Sequence, residues 1–186
     1  MSATGPMAEP VLRVRRIHAC VAVLVALLVV APAAIARTNG HASALRALQA
    51  GVLTDINAFR HSNGLRPLRL SRALTAAARQ HSLEMAARGY FSHSSADGSS
   101  FDRRIARYYP CGHSRFWAVG ENLLWSSPSV DAGGALQMWN ESSPHRENLL
   151  NASWREIGLS AVHVASAPGV YGGHEVTIVT ADFGVR

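Results

Sequence analysis

Ile157-Gly158-Leu159-Ser160-Ala161-Val162-His163-Val164 alternates in part between apolar and polar, as a half-buried strand does. A Pro168-Gly169 turn follows, and then Glu175-Val176-Thr177-Ile178-Val179-Thr180-Ala181-Asp182-Phe183-Gly184. The two runs pair naturally as an antiparallel hairpin. Upstream the period is helical. Leu45, Leu48, Val52, Ile56 and Phe59 recur at spacings of three and four, which gives one apolar helical face. Asn63-Gly64 stops that helix, and Leu65-Arg66-Pro67-Leu68 crosses in an extended turn. Ser71 is suited to cap a second helix, with Leu74, Ala78, His81 and Met85 on its inner face and Gly89 at its end. Residues 89–118 read as a long loop holding a short amphipathic piece, Phe101–Tyr108. Val119–Ser126 reads as a short strand or turn. Val130–Asn140 is a third helix, and Ser143-Pro144 opens a fourth, with serine as cap and proline in the first turn. Helices first, strands last and one strand between them predict an α+β sandwich.

At 186 residues the chain holds one ordinary domain plus a short extra segment. Arg13, Arg15 and Arg16 precede the apolar run Ile17–Ala31, and Ala34-Ile35-Ala36 supplies small residues for cleavage. Residues 1–36 therefore read as a secretory signal peptide, with an uncleaved signal anchor as the alternative. The apolar run falls short of the roughly twenty residues that span a bilayer. Residues 37–44 are expected to be a short linker and 45–186 the domain, outside the cytoplasm. Any membrane attachment would come only through the uncleaved anchor.

All 18 basic residues are arginines, against 12 acids. Loss of the leader removes three arginines and Glu9, leaving 15 against 11, a net charge of +4. No basic stripe accompanies this excess, so nucleic-acid binding is not expected. Cys111 alone survives cleavage, which rules out an intramolecular disulfide in the mature chain. It is expected to be a buried or quiet thiol.

Three short motifs carry the chemistry: Ser92-His93-Ser94, Gly120-Glu121-Asn122 and Ser143-Pro144-His145-Arg146-Glu147-Asn148. His93, His145 and Glu121 could hold a divalent metal such as zinc, since two imidazoles and a carboxylate with one open position match a catalytic zinc site. They could equally supply an acid/base pair, or only hold loops in place. No i, i+4 pair of ligands fixes the geometry in advance, so convergence depends on the fold. His145 in a first helical turn is expected to stay neutral, because the positive end of the helix dipole disfavours protonation. His81 is expected to be a hydrogen-bonded packing residue, Trp139 and Trp154 core aromatics, and Arg146 and Asn148 bonds to loop carbonyls. No nucleophile motif supports covalent catalysis.

Read in order, Asn57-x-x-Arg60, Gly64-Leu65-x-Pro67-Leu68, Leu74-x-x-x-Ala78-x-x-His81, Ser92-His93, Gly120-Glu121-Asn122, Trp139-x-x-Ser142-x-x-His145-Arg146-x-Asn148, Ile157-Gly158 and Asp182-Phe183-Gly184 resemble the CAP superfamily. That superfamily comprises cysteine-rich secretory proteins, antigen 5 and plant pathogenesis-related class 1 proteins, and this chain is similar to its bacterial secreted branch. The resemblance implies a three-layer α-β-α sandwich with a central antiparallel sheet and a large cleft. It also implies two histidines and two acids in that cleft, able to bind a divalent metal. By position these are His93, His145 and Glu121, the candidate catalytic or metal-binding residues. The second acid is replaced by Ser142, and Glu141 beside it projects differently from the helix. Two functions follow. One is a monomeric secreted module that binds a small apolar ligand, lipid, peptide or cell-wall component. The other is a metal-assisted, peptidase-like hydrolase using the same cleft.

Overall fold

The computed structural model describes residues 32–186, with side chains from His41 onward. The basic and apolar parts of the leader, residues 1–31, lie outside the described residues. Helix α1 (Pro32–Ser62) continues through residues 37–44, the stretch set apart in sequence as a linker. Then follow β1 (Arg69–Leu70), α2 (Arg72–Arg88), α3 (Phe101–Ala106), β2 (Ala118–Ser126), α4 (Ala132–Asn140), α5 (Ser143–Leu149), β3 (Glu156–Val164) and β4 (Val176–Val185).

The sheet order is β1-β3-β4-β2. The closing hairpin is antiparallel, as expected, but its strands are covered on both faces and not half-buried, and β2 runs antiparallel along the other side of β4. Strand β1 is an addition that the sequence does not signal. It has two residues, pairs in parallel with β3, and is too short to show any period.

Successive side chains of a strand point to opposite faces, and here each face meets its own helices. Ile157, Leu159 and Ala161 of β3 join Val179, Ala181 and Phe183 of β4 beneath α1, α4 and α5. Val52 and Ile56 of α1 and Trp139 of α4 are buried in this layer. Val176 and Ile178 meet Met85 and Ala86 of α2 on the other face, while Leu74 and Ala77 of α2 pack with Ile105 of α3 and Tyr109. The result is three layers with the sheet in the middle. Gly158 permits the closest approach between them, since a Cβ there would sit 2.0 Å from the backbone of Leu74.

Two local expectations need correction. Ser142, not Ser143, occupies the N-cap position of α5, one residue earlier than the serine-proline pair indicates. Cys111 is exposed, not buried, in the turn after Tyr109-Pro110, where its thiol meets the Ser114 carbonyl at 3.4 Å. Of the two readings, a buried or a quiet thiol, burial fails because that turn runs over the surface. His81 behaves as expected: it is fully buried on α2, with Nε2 2.8 Å from the Ser92 carbonyl. Burial pushes its pKa down. Trp139 and Trp154 are core aromatics, also as expected.

Candidate functional site

Strand β2 lies at the edge of the sheet, so its rim is where the two helical layers face each other. A cleft of about 400 Å³ opens there, and His93, Glu121 and His145 all line it. The three candidate residues are thus brought together, each from a different element. His93 comes from the loop after α2, Glu121 from β2, and His145 from the first turn of α5. Gly120 keeps the floor open, since a Cβ there would fall 2.6 Å from Asn148 Oδ1 and 2.9 Å from the Trp154 ring.

The wall that carries His93 is held by charge. Glu121 has a side chain with no exposed surface; its Oε1 lies 2.8 Å from His93 Nδ1. An ionised carboxylate only accepts, so Nδ1 donates, and Nε2 is the nitrogen left for the cleft. The other carboxylate oxygen, Oε2, is taken by the guanidinium of Arg104, itself 1% exposed. Arg104 also donates to the His93 carbonyl and to Ser95 Oγ, each at 3.0 Å. Asp182 stands opposite Glu121 in the β2–β4 register and is fully buried. Neither of its oxygens has a hydrogen-bond donor among the described residues. Burial, and then the neighbouring charge of Glu121, push its carboxyl well above the usual range, which favours the protonated form beside Glu121.

Neutral hydrogen bonds hold the wall that carries His145. Asn122 donates to the His145 carbonyl at 3.0 Å and accepts from Asn148 at 2.9 Å, and Asn148 Oδ1 accepts from Trp154 Nε1 at 3.0 Å. Asn148 therefore bonds side chains, not the loop carbonyls expected of it, and Arg146 likewise donates to Asn140 Oδ1. The buried Arg60 of the Asn57-x-x-Arg60 motif closes the far end of α5, donating to the carbonyls of Leu149 and Asn151. The pKa of His145 is lowered, as expected, but for another reason. Burial is the larger cause, and electrostatic repulsion between the two imidazoles, His145 and His93, the second.

A metal requires more than this arrangement offers. Among the described residues no three of His, Cys, Asp and Glu converge to hold an ion. Both oxygens of Glu121 are engaged, Ser142 offers only a hydroxyl, and the exposed Glu141 accepts from Gln137 instead. Two imidazoles remain, so the donor set does not fit a three-ligand zinc site.

His145 also lines a second, apolar groove of about 260 Å³, together with Phe91, Leu123, Trp125, Met138, Trp139 and Ser142. The sequence did not point to this groove. It also missed Arg104, although Phe101, Arg104, Ile105 and Tyr108 fall at helical spacing, so an arginine on that face was a signal to follow.

Residues 53–183 match the sequence profile of the CAP family, described as the cysteine-rich secretory protein family. The chain belongs to that family. It is 31% identical over 140 residues to the uncharacterized protein YkwD of Bacillus subtilis, covering 73% of this chain and 52% of that protein. The chain thus spans about half the length of this curated relative, and 43% of a solved extracellular SCP-domain protein from Bacillus anthracis. That structure is 27% identical, covers 76% of this chain and superposes with a TM-score of 0.57. An outer surface protein of Borrelia burgdorferi shares the fold alone, at 18% identity and a TM-score of 0.55, covering 72% of this chain and 89% of that one. As a CAP domain the chain has the α+β sandwich expected of it. Among its described residues no helix is long and apolar enough to cross a membrane.

Proposed function

We propose that this CAP domain is a monomeric binding module acting outside the cytoplasm, and that its cleft takes a small amphiphile. The apolar part of the ligand would lie in the groove of Phe91, Trp125 and Met138, and its polar end would meet the imidazoles of His93 and His145. One observation carries the reading: His145 lines both the histidine cleft and the apolar groove, so the two lie side by side on either side of one imidazole. Concave sites that combine apolar walls with a few convergent polar groups are the usual form of small-molecule sites. The leader-like sequence before Arg37 and the extracellular relative from Bacillus anthracis support the location.

Metal-assisted hydrolysis has weaker support, because Arg104 and His93 already occupy the carboxylate that would complete the ligand set. Titration with decanoate, followed by isothermal calorimetry, tests the binding reading. Saturable one-to-one binding is expected, weakened at least tenfold by Met138→Asp and by His145→Ala. Binding that is absent, or indifferent to both substitutions, would sink it.

A further inference from the structure

We infer that Arg104 is the positioning residue of this cleft. It occupies the Glu121 oxygen that a metal ion would need, and so turns the expected ligand into the orienting partner of a metal-free His93. The inference does not depend on which ligand the cleft takes.

The geometry is specific to the task. Arg104 reaches the Glu121 carboxylate and the backbone of His93 at once, so one guanidinium fixes both ends of the His93–Glu121 hydrogen bond. Its third contact, to Ser95 Oγ, ties down the loop that carries the histidine. Both charged side chains are sealed from solvent, at 1% and 0% exposure, whereas His93 is 52% exposed. The ion pair lies below and only the imidazole reaches the cleft. Asp182 adds a second buried acid facing Glu121 and no positive charge, so Arg104 is the cation that balances the buried site. A divalent ion reaching Glu121 would have to break a buried charge-assisted pair and leave a guanidinium without its anion. A carboxylate that bonds one imidazole nitrogen sets which tautomer the ring adopts. His93 is thereby presented with Nε2 bare, as a hydrogen-bond acceptor or base.

The test uses the full chain, titrated with zinc chloride alone, together with long-range proton–nitrogen NMR of the histidine rings above pH 7. Wild type is expected to hold His93 as the Nδ1–H tautomer and to bind zinc within threefold of His93→Ala/His145→Ala. Arg104→Gln, which frees Glu121 Oε2, is expected to gain at least tenfold in zinc affinity and to lose the tautomer bias. A residue that only stabilised the fold would produce neither effect. If Arg104→Gln does not fold, Arg104→Gln/Asp182→Asn, which removes a buried acid together with the cation, is read for the same two shifts. Stoichiometric zinc retained by wild type and lost in the double alanine variant would overturn the inference. So would a folded Arg104 variant with unchanged zinc affinity and an unchanged His93 tautomer.

Discussion

The two walls of the cleft present the same side chain by different physics. His93 stands on a buried ion pair, Arg104–Glu121, backed by the buried acid Asp182. His145 stands on a chain of neutral amides, Asn122 and Asn148, ending at the Trp154 indole. A charged support is costly to break from one side, because the abandoned partner stays buried and unpaired. An amide support loses only hydrogen bonds. The two imidazoles should therefore differ in how sharply they respond to damage, although they line one cleft.

The largest expected effect follows directly. Arg104→Leu should destabilise the fold by about 3–5 kcal/mol, the range for stripping a buried charge of its partner. Asn148→Ala on the opposite wall should cost only about 1–3 kcal/mol. Urea unfolding of both variants checks the ordering, and equal losses would erase the distinction. Replacing the whole pair sharpens it further. Arg104→Met/Glu121→Met should cost less than Arg104→Leu alone, since no orphaned charge remains.

The walls should also titrate in opposite directions. Asp182 has a folded pKa raised above its unfolded value, so the native state holds the extra proton. Its contribution is full below the ordinary carboxylate range and fades as pH rises through the folded pKa. His145 has a lowered folded pKa. Its contribution is full above the ordinary imidazole range and fades as pH falls through it. Neither slope can exceed about 1.4 kcal/mol per pH unit. Asp182→Asn should flatten the alkaline limb of stability against pH, and His145→Gln the acid limb. A swap of limbs would show the assignment to be wrong.

The smallest effect on stability belongs to the groove. Phe91 and Met138 are 37% and 41% exposed, so Phe91→Ser and Met138→Ser should each change folding stability by no more than about 0.5 kcal/mol. Both should still weaken decanoate binding. A large stability loss with binding intact would mark these residues as core instead.

Much of the fold was legible in sequence because the closing strands and the first two helices carry strong periodicity. Leu45, Leu48, Val52, Ile56 and Phe59 all pack on the core in the order their spacing gives. The histidines of the site were legible through their order along the chain. The role of Glu121 was not, because it depends on an arginine seventeen residues earlier and an aspartate across the sheet. A pattern along one strand contains neither distance. The apolar groove was hidden for the same reason: Phe91, Trp125 and Met138 meet only once β2 and α4 are folded beside the loop. Cys111 misled because a small sulfur-bearing residue usually finds the interior, and a surface turn overrides that tendency.

Joint occupation of cleft and groove by one ligand is tested most directly by NMR of the full chain during decanoate addition. The Met138 methyl and the His145 ring are to be followed together, with Leu53 and Leu70 of the separate apolar pocket beside α1 as controls. Met138 and His145 should shift on one saturation curve while Leu53 and Leu70 stay still. Shifts confined to Leu53 and Leu70, or Met138 moving without His145, would contradict the account.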